Sequence, residues 1–359
     1  MQRTVVASFT AVFGVAFGLA LVLTPLAGWL GRRWGVVDRP GGRRRHQGVV
    51  PRLGGVALYL AFAVAALLAQ VLPVPRTDPQ ELTRFTGLLL GTSFIFVFGL
   101  WDDLRDLPPG PQFAAQVVAT LIGMAGLVFV EVVNNPFSSQ PDARVWFPWP
   151  LTLAFTLFWM IGMMTTVNWL DGLDGLAAGV TAIASVVLFI HAAFRLQPPQ
   201  LSVSLLPLAL AGATLGFLPY NFYPARVFMG SAGAYTLGFA LGGLAIIGGA
   251  KVASILLVMG LPILDVAWQI FRRWREGRRP DQADRGHLHH RLFDLGLSQR
   301  WVVLGYYLFS AFFGGLALLI SSRLYKLLAL VLFGLVALGM LAWLSRFPTR
   351  SERNEPPAG

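Results

Sequence analysis

Asn168, Asp171 and Asp174 interrupt a long apolar stretch in the run Met-Thr-Thr-Val-Asn-Trp-Leu-Asp-Gly-Leu-Asp-Gly-Leu-Ala-Ala-Gly, residues 164–179. Two carboxylates and an amide are costly in hydrocarbon, so they are expected to face a polar cavity or to lie just outside the lipid. On a helix, Asp171 and Asp174 share a face and Asn168 lies one turn earlier. Gly172 and Gly175 permit a tight bend or a close ligand approach. A plain polar turn between two spans is the simpler alternative.

Five further sites carry candidate chemistry. Trp101-Asp102-Asp103-Leu104-Arg105-Asp106 ends an apolar run. Adjacent carboxylates repel unless a cation offsets them, and hard oxygen ligands suit Mg²⁺; a solvated acidic cap is the alternative. Between Pro219 and Gly233, Asn221 can donate and accept hydrogen bonds and Arg226 can meet a phosphate. The backbone amides of 230–233 can form an anion nest at a helix start, where Ser231 is equally a natural cap. In Asp284-Arg285-Gly286-His287-Leu288-His289-His290-Arg291, three of the five His fall within four positions. Such a cluster binds phosphate oxygens, moves protons or holds a transition metal. Asp265 lies in or near an apolar run, as a functional carboxylate or as support for a polar neighbour. Arg52, with Asp38, Pro40, His46, Pro51, Gly54 and Gly55, forms a basic entrance to the next run, anchoring the chain or gripping a lipid phosphate.

The elements that must position these residues are membrane helices. Of 359 residues, 55% are hydrophobic and 13% charged, too little polar surface for a soluble chain of this length. The 11 Trp and 39 Gly fit headgroup-level anchoring and close helix approach. Cysteine is absent, which excludes disulfide scaffolds and thiolate metal sites. The first run reads as a retained span rather than a cleaved signal. The fold class expected is all-α and polytopic, with about 11 transmembrane helices at 5–30, 53–72, 85–101, 112–133, 149–167, 175–194, 202–218, 231–249, 252–270, 301–320 and 324–345. Most of the 28 Lys and Arg fall in alternate connections, above all in the basic loop 271–300. The positive-inside rule then places the N-terminus outside and the C-terminus in the cytoplasm, and accounts for the net charge of +11 without nucleic acid. One domain is expected over 1–346, followed by a flexible cytoplasmic tail, 347–359.

Taken in order from the Asp38 region to Arg291, these motifs resemble the bacterial polyprenyl-phosphate N-acetylhexosamine-1-phosphate transferases of glycosyltransferase family 4. These are related to the enzyme that transfers phospho-MurNAc-pentapeptide. The resemblance implies transfer of N-acetylhexosamine 1-phosphate, GlcNAc 1-phosphate foremost, from a UDP-sugar to undecaprenyl phosphate with release of UMP. It also implies Mg²⁺ or Mn²⁺ as cofactor, a site facing the cytoplasm in the bacterial cytoplasmic membrane, contact with membrane lipids and a homodimer. The product would initiate an envelope glycan such as teichoic acid or lipopolysaccharide. Asp102 and Asp103 match the paired-carboxylate motif, Asn168, Asp171 and Asp174 the central signature, and His287, His289 and His290 the His-x-His-His motif of the nucleotide-sugar site.

By this resemblance Asp102, Asp103 and Asp174 are the expected metal-binding carboxylates, with Asp102, Asp103, Asp171 and Asp174 catalytic. Arg52, Asn168, Asn221, Arg226, Ser231, Asp265, Arg285, His287, His289 and His290 are expected to bind substrate. Two departures stand out. Ser231 occupies the position after Phe-Met-Gly where the family usually has Asp, and Thr165 stands where Asn is common. They keep open a noncatalytic lipid- or nucleotide-sugar-binding homologue. A transporter lined by intramembrane Asp is the more distant alternative.

Overall fold

Hydrocarbon offers backbone N–H and C=O groups no partners, so apolar runs must satisfy them internally as helices. The computed structural model describes residues 2–39, 48–138, 140, 143–248, 252–277 and 286–344. Arg285, His46 and the tail 347–359 lie outside these, as do the side chains of His289 and His290.

The chain begins with α1 (Gln2–Arg33), whose last turn carries Arg32 and Arg33 at the negative end of the helix dipole. A short antiparallel ribbon follows, β1 (Val37–Asp38) against β2 (Val50–Pro51), with Val37 opposite Pro51. Then come α2 (Gly54–Val71), α3 (Glu81–Arg105) and α4 (Pro109–Ala125). Glu81 in the first turn of α3 suits the dipole, and Pro109 opens α4 where its missing N–H costs nothing. A second ribbon, β3 (Val132–Asn134) with β4 (Arg144–Trp146), leads to α5 (Trp149–Leu170). Next are α6 (Leu176–Ile190), ending in a π-helical turn His191–Arg195, α7 (Leu201–Asn221) and α8 (Gly230–Ile247). The chain continues through α9 (Val252–Val258), α10 (Gly260–Arg275), α11 (Leu288–Asp294), α12 (Gln299–Leu319) and α13 (Arg323–Leu344).

The centre of the bundle is α8, buried at every position from Ala232 to Ile247 and packed by α2, α3 and α5. Its small residues permit this crowding: a side chain at Gly99 of α3 would strike the Ala232 backbone 2.6 Å away. Among the described residues, nine helices are long and apolar enough to cross a membrane: α1, α2, α3, α5, α6, α7, α8, α12 and α13. The pair α9 and α10 makes ten if counted as one broken span.

Two expected spans differ from straight crossings. The run at 112–133 is helical only to Ala125, the end of the 17-residue α4, which stops at Gly126 before the left-handed Leu127 (φ +61°). The run at 252–270 is bent by 81° between α9 and α10, where Gly260 lies against the Phe333 ring. Pro262 falls in the first turn of α10, where a helix needs no proline N–H.

Candidate active site

Asp102 and Asp103 occupy the last turn of α3, and both are buried. Consecutive helical residues point about 100° apart, so the pair divides. Asp103 faces α8: its carboxylate accepts the N–H of Ser231 at 2.8 Å and that of Ala232 at 3.0 Å, seating a negative charge on a helix N-terminus. The turn entering α8 requires glycine. Gly230 has φ +65°, and a Cβ there would lie 2.5 Å from the Asp103 carboxylate oxygens. Asp102 turns the other way. Its Oδ1 accepts the Leu107 N–H at 2.9 Å and the Gln112 amide at 3.0 Å, and Gln112 in turn accepts the Tyr235 hydroxyl at 2.9 Å. Arg52 donates to the Asp103 carbonyl at 2.8 Å and to Asp106 Oδ1 at 3.1 Å, tying the start of α2 to the end of α3.

The central signature forms the turn between α5 and α6. The Asp171 N–H closes the last turn of α5 on the Val167 carbonyl, and Gly175, at φ +81°, starts α6. Asn221, buried at the end of α7, accepts the Gly175 N–H at 3.1 Å and donates to the Val227 carbonyl at 3.1 Å. Asp174 Oδ2 accepts the Ala225 N–H at 2.9 Å. The turn is thus fastened to the α7–α8 loop. Asp171 lies between the spans. Part of its surface stays accessible, yet its carboxyl is held well above the usual carboxylate range, first by its recessed setting and then by the charges of Asp174 and Asp103. Asn168 is half-buried one turn earlier, Thr165 reaches Gln116 Oε1 at 3.4 Å, and the Arg226 side chain is exposed.

The third part joins α10 to α11. Asp265 and His287 are buried with Oδ2 and Nδ1 2.9 Å apart, and Asp265 Oδ1 accepts the Leu288 N–H at 2.9 Å. The His287 ring meets the Trp169 edge with centroids 5.2 Å apart, and the Arg273 guanidinium lies 5.0 Å over Trp169. Trp169, which adjoins Asn168, therefore connects the His segment to the central turn. Sequence reasoning passed over Trp169, Arg273, Gln112 and Tyr235. Trp169 alone had a signal, its place inside the Asn168–Asp171 motif.

Among the described residues, no group of three or more His, Asp or Glu gathers closely enough to hold a metal by protein ligands alone. The expected trio of Asp102, Asp103 and Asp174 is not assembled as a ready-made cage, because Asp102 turns towards Leu107 and Gln112. The donor set nevertheless fits Mg²⁺. That ion commonly takes one or two carboxylates and completes its shell with water and substrate phosphates. The mutual repulsion of Asp171, Asp174 and Asp103 is of the kind that a cation relieves.

Fold and site together define a polytopic membrane protein with a carboxylate-rich polar centre built from helix ends of one bundle. The glycosyl transferase family 4 model matches residues 85–249, a segment containing Asp102, Asp103, the central turn and Ser231. The chain is 33% identical over 343 residues to a probable undecaprenyl-phosphate N-acetylglucosaminyl 1-phosphate transferase of Bacillus subtilis (strain 168), covering 94% of this chain and 90% of the relative. It is 32% identical over 315 residues to a decaprenyl-phosphate N-acetylglucosaminephosphotransferase of Mycolicibacterium smegmatis, covering 80% and 77%. It is 31% identical over 318 residues to a phospho-N-acetylmuramoyl-pentapeptide-transferase of Desulforudis audaxviator, covering 82% and 92%. The chain belongs to glycosyl transferase family 4, among the polyprenyl-phosphate N-acetylhexosamine-1-phosphate transferases.

Proposed function

We propose that the protein transfers N-acetylhexosamine 1-phosphate, GlcNAc 1-phosphate foremost, from a UDP-sugar to undecaprenyl phosphate. The observation that carries this reading is that Asp103, from the end of α3, and Asp174, from the α5–α6 turn that also holds Asp171, both fasten to the loop and helix start at 225–232. An acceptor phosphate oxygen attacks the β-phosphorus of the donor, the bond from that phosphorus to the bridging oxygen breaks, and UMP leaves. One phosphoanhydride replaces another. The acceptor phosphate is already largely ionised near neutral pH, so the protein's task is positioning and charge stabilisation rather than strong-base chemistry.

Asp171 and Asp174, with Asp103 beside them, would hold Mg²⁺, which when bound neutralises diphosphate charge and polarises the leaving group. Asp103 braces the start of α8, and Asn221 fixes the turn that carries Asp174. Asn168, Arg226 and the His287–His290 segment, with Arg285, serve the donor. Asp265 orients His287 through Nδ1. Asp102 acts through the α3–α4 turn.

In this reading residues 1–346 are one transferase domain with 11 crossings, α4 and the broken α9–α10 pair included. The N-terminus is outside, and the site, the C-terminus and the tail 347–359 are cytoplasmic. Arg32, Arg33, Arg105, Arg272, Arg273 and Arg275, at the ends of α1, α3 and α10, support that sidedness.

The test is to incubate purified protein with undecaprenyl phosphate, Mg²⁺ and, separately, UDP-GlcNAc, UDP-GalNAc and UDP-MurNAc-pentapeptide, following UMP and the lipid product by mass spectrometry. The expected result is lipid-diphospho-GlcNAc, lost on adding chelator. Ser231 favours a second reading, a binding homologue, because one neutral hydroxyl stands where the family usually supplies a carboxylate. UDP-sugar binding with no UMP from any donor would establish it.

A further inference from the structure

The central turn is held from a direction that none of the sequence motifs covers. Gly175 follows Asp174 directly, so anchoring Gly175 on both sides steadies the backbone from which the Asp174 carboxylate reaches the Ala225 N–H. The Gly175 N–H is taken by Asn221 Oδ1 at 3.1 Å. Its carbonyl accepts twice: from the Gly179 N–H at 3.0 Å in the first turn of α6, and from the Tyr307 hydroxyl, which donates at 2.6 Å from α12, 132 residues further along the chain. The Tyr307 ring also fills the space beside Gly179, where any Cβ would overlap the phenol. Close to the start of the same helix, the Arg300 guanidinium lies 5.5 Å over the Tyr223 ring, on the loop carrying Arg226. One helix beyond the matched family segment thus touches both the turn and the loop of the site.

We propose that Tyr307 is a positioning residue for sugar-phosphate transfer, its hydroxyl fixing the Gly175 peptide and through it the Asp174 carboxylate. The inference rests on the transferase reading above. Phosphoryl transfer depends on positioning, and small displacements of a site group are costly in rate. A loosened turn should therefore slow the chemical step while leaving donor affinity nearly intact.

The neighbouring residue supplies a matched control. Tyr306 lies on the same helix, buried, and among the described residues its hydroxyl has no hydrogen-bond partner. Steady-state UMP release from UDP-GlcNAc is measured for wild type, Tyr307→Phe, Tyr306→Phe and Gly179→Ala, in the same detergent with Mg²⁺ and undecaprenyl phosphate. Tyr307→Phe keeps the ring and removes only the hydroxyl; it is expected to lower kcat about tenfold with donor KM within about twofold. Tyr306→Phe is expected to leave both unchanged. Gly179→Ala pushes the phenol off the Gly175 carbonyl and should reproduce the kcat loss, so the inference stays testable if Tyr307→Phe does not accumulate. An unchanged kcat in Tyr307→Phe, a loss expressed in KM, or an equal loss in Tyr306→Phe overturns the positioning role. Wild-type protein that releases no UMP overturns the transferase reading and this inference with it, whereas active wild type with an unaffected Tyr307→Phe overturns the inference alone.

Discussion

Asp174 separates charge from shape. Its Oδ2 accepts the Ala225 N–H, a bond that an asparagine carbonyl can equally accept, so Asp174→Asn retains this fastening and removes the negative charge. Folded protein with kcat lowered at least about 10²-fold is the expected result, since charge stabilisation in such sites is commonly worth that much. Turnover near wild type would remove Asp174 from the metal-facing group. Asp171 makes a different prediction. Its carboxyl is raised in the folded state by its recessed setting and by Asp174 and Asp103, so ionising it opposes folding. A group raised in this way gives stability that is fully present below its unfolded value and is lost as pH rises through the folded one. In Mg²⁺-free detergent, Asp171→Asn should therefore melt above wild type at neutral and alkaline pH, with the gap closing in acid. A gap that widens towards acid would contradict the assignment.

At the scale of elements, α3 links two polar ends. Its first turn carries Glu81, buried and paired with Arg76 at 2.5 Å and with the Ser202 hydroxyl at 2.6 Å; its last turn carries Asp102 and Asp103. Removing one partner of such a pair leaves an uncompensated group. Glu81→Ala should cost about 2 kcal/mol, less than a fully buried pair because the Arg76 side chain keeps 33% of its surface. Thermal melting and UMP release on the same preparation check this: stability falls and kcat stays.

Much of this architecture is legible in the chain. Carboxylates in an apolar run have few inexpensive places to go, so Asp103, Asp171 and Asp174 stand out in the chain as candidates. Asp102 gives no sign in the chain of its different setting, because adjacent letters say nothing of which helix face meets which neighbour, and only packing turns it towards Gln112. The bend at Gly260 was hidden because hydropathy averages over it. Tyr307 was hidden because an aromatic in an apolar span reads as lipid contact until its hydroxyl is placed on Gly175.

At the scale of the whole molecule, the arrangement makes sidedness the quantity to measure. The α7–α8 loop, with Arg226 exposed, belongs to the same end as Asp103 and the central turn. Phe137 lies between β3 and β4, beyond the end of α4 that points away from Asp102, and is 80% exposed. The chain has no cysteine, so a single introduced thiol reports one position without background. In intact cells, a membrane-impermeant maleimide is expected to label Phe137→Cys and to spare Arg226→Cys until the membrane is opened. A UDP-sugar made in the cytoplasm can reach Asp171 and Asp174 only in that orientation. The reverse pattern would leave the carboxylate centre facing a compartment without its donor, and would count against the transferase reading more heavily than any single substitution.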